Sequence, residues 1–443
     1  MMSSRPGRRW YAAFLALPIA LLMIAALAVG CGGGDATDGN GDDGDTEPQS
    51  RLTWPTAYQN ARRTGRSAVN GPTDNQPDWT YETGAKSFSW TVLGKDGDIL
   101  AGLEGKVISV DPASGGLNWE YPVGGDSATT CDMGPDGTVY FSAGNSIHAL
   151  SPGGDEKWSY DLGNEADGPS VGTDAIYAGS VGGKLVALSP QGEMIWETKV
   201  EGDIRSPSIG KDGNLYCGAA PLVLYAFDKD GEKLWEQRPE GELPLYGNLM
   251  EWSNTMDYPS IGDDGTIYVG SFPYPGVTST GQMIQGYAIP TFGKLYAISS
   301  QGDLEWSLDR TYQGCTYFNV HSPSIGIDGT LYAGTSHWRV WAIDPGGNLM
   351  WEFNLEEVIN ECPSVFSPSI GKNGLLYAAT TSGKMICINP DGTENWRYES
   401  GVPWLPDMSR SNNMTPPPIA EDGTLFSLQA EGKIYAWKTG TAQ

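Results

Sequence analysis

One phrase of eleven residues recurs along the chain and limits what it can fold into. It reads Ser206-Pro207-Ser208-Ile209-Gly210-Lys211-Asp212-Gly213-Asn214-Leu215-Tyr216. It returns at Ser322 through Tyr332, and again at Ser367 through Tyr377 with Asn373-Gly374 in place of the Asp-Gly pair. A second turn, a short apolar strand and a Trp follow, as in Lys184-Leu185-Val186-Ala187-Leu188 leading to Trp196. The paired turns place glycines at Gly97, Gly137, Gly213, Gly265, Gly329, Gly374 and Gly423, while the third copy departs with Asp174-Ala175. Such pairs supply the positive φ that two-residue hairpins need. Each repeat therefore reads as four short strands: A (Ser-Pro-Ser-Ile-Gly), B (Leu-Tyr-x-Gly), C (Lys-Leu-Tyr-Ala-Ile) and D (Trp-Glu). With 60 Gly and 30 Pro in 443 residues, a helical bundle is excluded, yet 39% hydrophobic residues suffice for a large core.

Four-stranded units repeated at about forty residues specify an all-β fold, a β-propeller. The strand-D tryptophans Trp119, Trp158, Trp196, Trp235, Trp306, Trp351 and Trp396 count seven blades. An eighth A–B–C set runs from Thr415 to Trp437 and lacks its own strand D. The missing piece is Asp78-Trp79-Thr80-Tyr81-Glu82. The expectation is an eight-bladed propeller of four-stranded antiparallel blades, its last blade closed by an N-terminal strand that removes free sheet edges.

Ahead of the repeats, Arg5, Arg8 and Arg9 precede an apolar run from Trp10 to Val29, then Gly30-Cys31. That order reads as a secretory signal peptide over residues 1–30. Leu27-Ala28-Val29-Gly30-Cys31 resembles a bacterial lipobox, with Ala28 where Leu is usual, which makes Cys31 the lipidated N-terminus. An uncleaved membrane anchor is the other reading, since the run is long enough to span. Residues 31–53, rich in Gly and Asp, read as a flexible acidic tether, and residues 54–443 as the propeller with its lead-in. The expected location is the cell envelope, on the periplasmic side of an outer membrane or at the cell surface.

The repeats also resemble a known family. Gly115-Gly116-Leu117-Asn118-Trp119, Gly231-Glu232-Lys233-Leu234-Trp235 and Gly392-Thr393-Glu394-Asn395-Trp396 match the Gly-x-x-x-Trp docking element of the PQQ-like β-propeller repeats. Trp54-Pro55 through Arg63-Thr64-Gly65-Arg66-Ser67 resembles the lead-in found before such domains. The resemblance implies the fold over roughly residues 76–440. It leaves function divided, because the family holds both quinoprotein dehydrogenases and non-enzymatic lipoproteins of the BamB type.

Chemistry is sparse. The dehydrogenases of that family hold PQQ and calcium on the axis under a vicinal Cys pair, and this chain has no adjacent cysteines. Asp228-Lys229-Asp230-Gly231-Glu232 looks like the opening of a calcium loop, but the twelfth position is Pro239, so a hairpin turn is the better reading. No nucleophile triad, phosphate loop or zinc-spaced ligand set is present. His148 reads as structural; His321 and His337 share blade six without an evident third ligand. Cys217 and Cys387 read as buried small hydrophobes, and Cys131 takes the Pro position of its strand A. Cys315 and Cys362 precede strand A in adjacent blades and form a candidate disulfide in an oxidising compartment. A net charge of −27 repels phosphates, which excludes nucleic acid and confines membrane contact to the N-terminal lipid.

The loops carry the remaining signal. Long insertions occur only in D-to-A and B-to-C connections, which open on one face: 240–257, 272–290, 310–320, 356–365 and 401–414. They hold Tyr246, Trp252, Tyr274 and Trp404, side chains that binding surfaces use. Residues entering strand A, namely Ser89, Thr129, Asp167, Arg205, Asp257, His321, Phe366 and Thr415, are expected to ring the channel mouth on that face. The candidate binding face is thus Arg205, Asp257, His321, Trp252, Trp404, Tyr246 and Tyr274, toward an envelope protein or a small ligand. The expected function is a non-catalytic scaffold without cofactor. A PQQ- and calcium-dependent dehydrogenase and a carbohydrate-binding surface protein are the alternatives.

Overall fold

Every sheet in the molecule is one copy of the repeat. The computed structural model describes residues 54, 56, 59–87, 89, 91–129, 131–240, 255–272, 293–310, 319–355, 364–401, 416–429 and 432–439. These residues contain strands and turns in eight antiparallel sheets, the blades of an eight-bladed β-propeller. Blade four shows the pattern: Ser208–Ile209, Leu215–Ala219, Val223–Phe227 and Lys233–Gln237 pair in chain order. Blade one runs its second and third strands together as Ile99–Val110, with Gly105 at φ 80° where the others turn. Blade five adds Thr255–Met256 against Ser271–Phe272. No helix among the described residues is long and apolar enough to cross a membrane.

Position within the blade decides composition. Strands B and C are covered on both faces by neighbouring blades, so Leu215–Ala219 and Val223–Phe227 are buried throughout. Strand D lies outermost, and Met194–Lys199 alternates between exposed and half-buried residues. The A strands of successive blades adjoin one another at the hub.

Two devices join blade to blade, and together they explain the repeated residues. The first is the tryptophan. Trp196 Nε1 donates to the Lys229 carbonyl of the next blade at 3.0 Å, and Trp119, Trp158, Trp235, Trp306 and Trp351 make the equivalent bond. The indole lies over the turn glycine of that blade and against the strand-B tyrosine of its own, Tyr177 at 5.9 Å. Each Gly-x-x-x-Trp element is therefore split: its Gly receives one neighbour and its Trp reaches for the other. The second device is the Ser-Pro-Ser segment. Ser206 Oγ accepts from the Gly179 N–H of the preceding blade at 2.9 Å, and Ser208 Oγ donates to the Pro259 carbonyl of the following one at 2.5 Å.

Gly231 and Gly213 separate the two reasons for a turn glycine. Both have positive φ, 86° and 81°. A Cβ on Gly231 would lie 2.8 Å from the Trp196 ring, while one on Gly213 meets nothing within 4 Å. Gly213→Ala is expected to cost about 1 kcal/mol from backbone strain alone. Gly231→Ala should cost about 2–4 kcal/mol because the indole must also move. Chemical denaturation of the two variants checks the difference.

The ring closes as the sequence implies. Trp79–Glu82 pairs antiparallel with Lys433–Ala436 as the outer strand of blade eight. Trp79 Nε1 donates to the Pro112 carbonyl and its ring covers Gly115, so it is the seventh tryptophan to dock in this way, while Trp396 stacks on Trp437 of blade eight with ring centres 6.5 Å apart. At the seam, Trp437 Nε1 donates to the Asn75 carbonyl and Asn75 Nδ2 to the Arg397 carbonyl. The departure in blade three shortens one turn: Gly172 N–H reaches Ala175 O, where Gly210 N–H reaches Asn214 O.

Candidate functional site

Short A strands leave inner backbone groups that need partners. The lead-in supplies them. Ala61, Arg62, Thr64 and Gly65 offer their carbonyls, in that order, to the N–H groups of Ile209, Ile261, Ile325 and Ile370, at 2.8–2.9 Å. Those four acceptors serve four successive blades, four to seven. Ser67 N–H then donates to Ile370 O, and Lys372 N–H to Val69 O. The segment is a strap across the hub. Gly65 passes so close to blade six that a Cβ would lie 2.3 Å from Ser324 Oγ.

Its arginines go in two directions. Arg62, 2% exposed, donates to Asp263 Oδ1 at 2.7 Å, which Lys211 also reaches at 3.1 Å. Partial burial would raise the Asp263 pKa, but the bonds from Arg62 and Lys211 hold it down at about 2. Arg63, 4% exposed, donates to Ser170 Oγ and lies 4.5 Å from the centre of the Tyr258 ring. Arg205 lies 4.9 Å from the same ring. Tyr258 O–H donates to Asp167 Oδ1 at 2.6 Å, and burial, reinforced by Asp167, pushes the phenol far above its ordinary pKa. Burial works against the charge on Arg205; Tyr258, Asp167 and Asp257 outweigh it.

The carboxylates here also hold the next blade. Asp167 Oδ2 accepts from Ser206 N–H at 2.8 Å, and Asp257 Oδ2 from Ser322 N–H at 2.9 Å. Asp132 does the same for Val171 at 3.1 Å. His321 packs between Phe272 and Phe366, ring centres 5.2 and 5.1 Å away, with Nδ1 3.8 Å from Asp257 Oδ2. Burial lowers its pKa, Asp257 opposing, which favours neutral imidazole.

The residues expected at the channel mouth are mostly buried where they are described. Arg205, Asp257, His321 and Asp167 are 4–6% exposed, and Phe366 and Ser89 less. Among them Arg205 lies beside Asp167 and Asp257, since a buried charge needs a counter-charge. Trp252, Trp404, Tyr246, Tyr274, Cys315, Cys362, Thr415 and Cys31 lie outside the described residues. Arg62, Arg63 and Tyr258 were not among the expected site residues. A signal for Tyr258 existed: Asp257-Tyr258-Pro259-Ser260 puts Tyr where Arg205-Ser206-Pro207-Ser208 has Ser.

Chemically, the hub binds itself. Cys131, Cys217 and Cys387 are buried free thiols whose pKa burial raises, that of Cys387 to about 12, so they stay protonated. Asp228-Lys229-Asp230-Gly231-Glu232 is a hairpin turn in which Asp228 Oδ1 accepts from Asp230 and Glu232 N–H. His148 stacks on Phe141 at 5.1 Å. Among the described residues no three His, Cys, Asp or Glu side chains are grouped to hold a metal.

Comparison places this architecture. A family model described as the outer membrane protein assembly factor BamB matches residues 143–271 and 250–443. The crystal structure of BamB from Moraxella catarrhalis aligns with a TM-score of 0.56 at 14% identity, covering 82% of this chain and 99% of that one. Saccharomyces cerevisiae Sqt1 aligns at 0.61 and 12% identity, covering 84% and 100%. A europium-containing methanol dehydrogenase aligns at 0.57 and 12% identity, covering 85% and 89%. At such identities the likeness is one of fold. No curated protein matches the sequence.

Proposed function

We propose, from the premise that this chain belongs to the family of the outer membrane protein assembly factor BamB, that it is a non-catalytic scaffold of the cell envelope. One observation carries the reading: the hub, where a propeller can keep a cofactor, is crossed by the protein's own residues 61–66. PQQ with calcium would need room and hard oxygen ligands on the axis. The side chains there do not fit that need, since Arg63, Tyr258, Arg205 and Asp167 are buried against one another. Recognition is thereby left to the surface, and the long-loop face is the part of the surface that differs from blade to blade. Residues 1–30 act as the export signal, Cys31 carries the lipid, and residues 31–53 tether the propeller.

A photo-crosslinking side chain at Trp252 or Trp404, introduced in cells, is expected to capture an envelope protein. The same side chain at Ile327, 74% exposed on an A-to-B turn, should capture none. Adducts from Ile327 alone would assign the wrong face. Cys31→Ala should move the protein from the membrane to the soluble fraction.

A further inference from the structure

The blades contain one carboxylate socket that is filled and a second that is open. At the junction of blades four and five, Glu240 Oε1 accepts from Tyr296 O–H at 2.8 Å and from Lys294 Nζ at 2.9 Å. Glu240 stands five residues after Trp235, and Tyr296 is the central residue of its strand C. The equivalent residues one junction earlier are Glu201, five after Trp196, and Tyr225. Glu201 does not fill its socket. Its carboxylate side chain is 63% exposed and 4.0 Å from Arg238, and only its backbone carbonyl meets Tyr225 O–H, at 3.4 Å.

The space that results is a cleft of about 320 Å³ between blades three and four. Val223 stands where Lys294 stands in the next blade, so the strand-C cation is absent. Arg238, the residue after strand D, supplies the charge instead, its Nη2 3.5 Å from the Tyr225 hydroxyl. Lys233 lies 5.8 Å from the Tyr225 ring centre, and Lys199 lines the opposite wall. Glu236 is bonded to both Lys233, at 2.7 Å, and Arg238, at 3.3 Å. Three cations against two carboxylates leave the cleft net positive in a chain of net charge −27. A hydroxyl beside a cation is the arrangement that holds Glu240, and charge-assisted bonds of that kind favour an ionised acceptor.

We propose that the cleft between blades three and four is a binding site for a carboxylate group from outside the chain, received by Arg238, Tyr225 and Lys233 as Glu240 is received by Lys294 and Tyr296.

The group can arrive on a small dicarboxylate or on an acidic side chain of a peptide. Calorimetric titration of the folded protein at low ionic strength, with glutarate and with a short capped Glu-containing peptide, separates the two sources. Glutaramide is the uncharged control. Binding of either carboxylate, with none of glutaramide, is the expected result. Arg238→Gln should weaken it about tenfold, the loss of one charge-assisted bond. Glu201→Gln should strengthen it a few-fold by removing a like charge. Lys294→Gln, in the filled socket, should leave it unchanged, and melting curves confirm that each variant is folded. Failure of both carboxylates to bind would overturn the proposal. So would equal binding of glutaramide, or equal weakening by Arg238→Gln and Lys294→Gln.

Discussion

A chain lacking residues 51–84 is expected to lose the cooperative thermal transition of the intact propeller, or to melt tens of degrees lower. The deletion removes three things together. Blade eight loses its outer strand and the docking Trp79. The hub loses six backbone hydrogen bonds to the strap, each worth about 1 kcal/mol net. Asp263 loses Arg62, and Tyr258 loses Arg63. The sum is on the order of 10 kcal/mol, which equals the whole stability of an ordinary domain. Calorimetry and limited proteolysis check it. An unchanged melting temperature would show that the strap holds nothing.

The second large effect is expected at Arg205. Arg205→Leu should destabilise the fold by about 3–5 kcal/mol, because Asp167 and Asp257 stay buried beside a vanished counter-charge. Adding Asp167→Asn should recover part of that loss, and urea unfolding of the single and double variants measures the coupling. If Arg205→Leu left stability within 0.5 kcal/mol of the parent, roughly the size of a neutral surface change, the buried network would not be what holds these blades. Arg205 was expected on the binding face; at 4% exposure it also holds a buried charge network together.

The blades were legible because their physics is written many times over. A turn glycine under an indole leaves the same letters at most junctions, and a Ser-Pro-Ser joining three blades leaves them in blades four, six and seven. Trp79 could be assigned to blade eight because a closed ring lacks a strand D nowhere else. The lead-in was visible as a segment, but its role as a strap was not, since it works through the carbonyls of Ala61, Arg62, Thr64 and Gly65, and a carbonyl leaves no mark on residue choice. The scaffolding role of Asp167 and Asp257 was hidden for a related reason. An N–H acceptor at that position can be Asp in one blade and something else in another, so variation there looked like recognition when part of it is scaffolding. The two sockets show the reverse: Glu201 and Glu240 are the same letter at the same place, and only three-dimensional neighbours distinguish a filled site from an open one.

The closure of blade eight also sets a timetable. Asn75 bonds Trp437 across 362 positions of chain, and Tyr377 bonds the Pro72 carbonyl across 305. Contacts between such distant points form late and slowly, because loop closure must precede any gain from them. The first strand of the propeller, made before the others, is therefore among the last to find its place. Until the final strands arrive, blade eight has no partner for Trp79–Glu82, and the strap has only an incomplete hub to lie on. The open ring meanwhile exposes unpaired strand edges that other chains can join. The vulnerable period in the life of this molecule is thus the interval before its two ends meet.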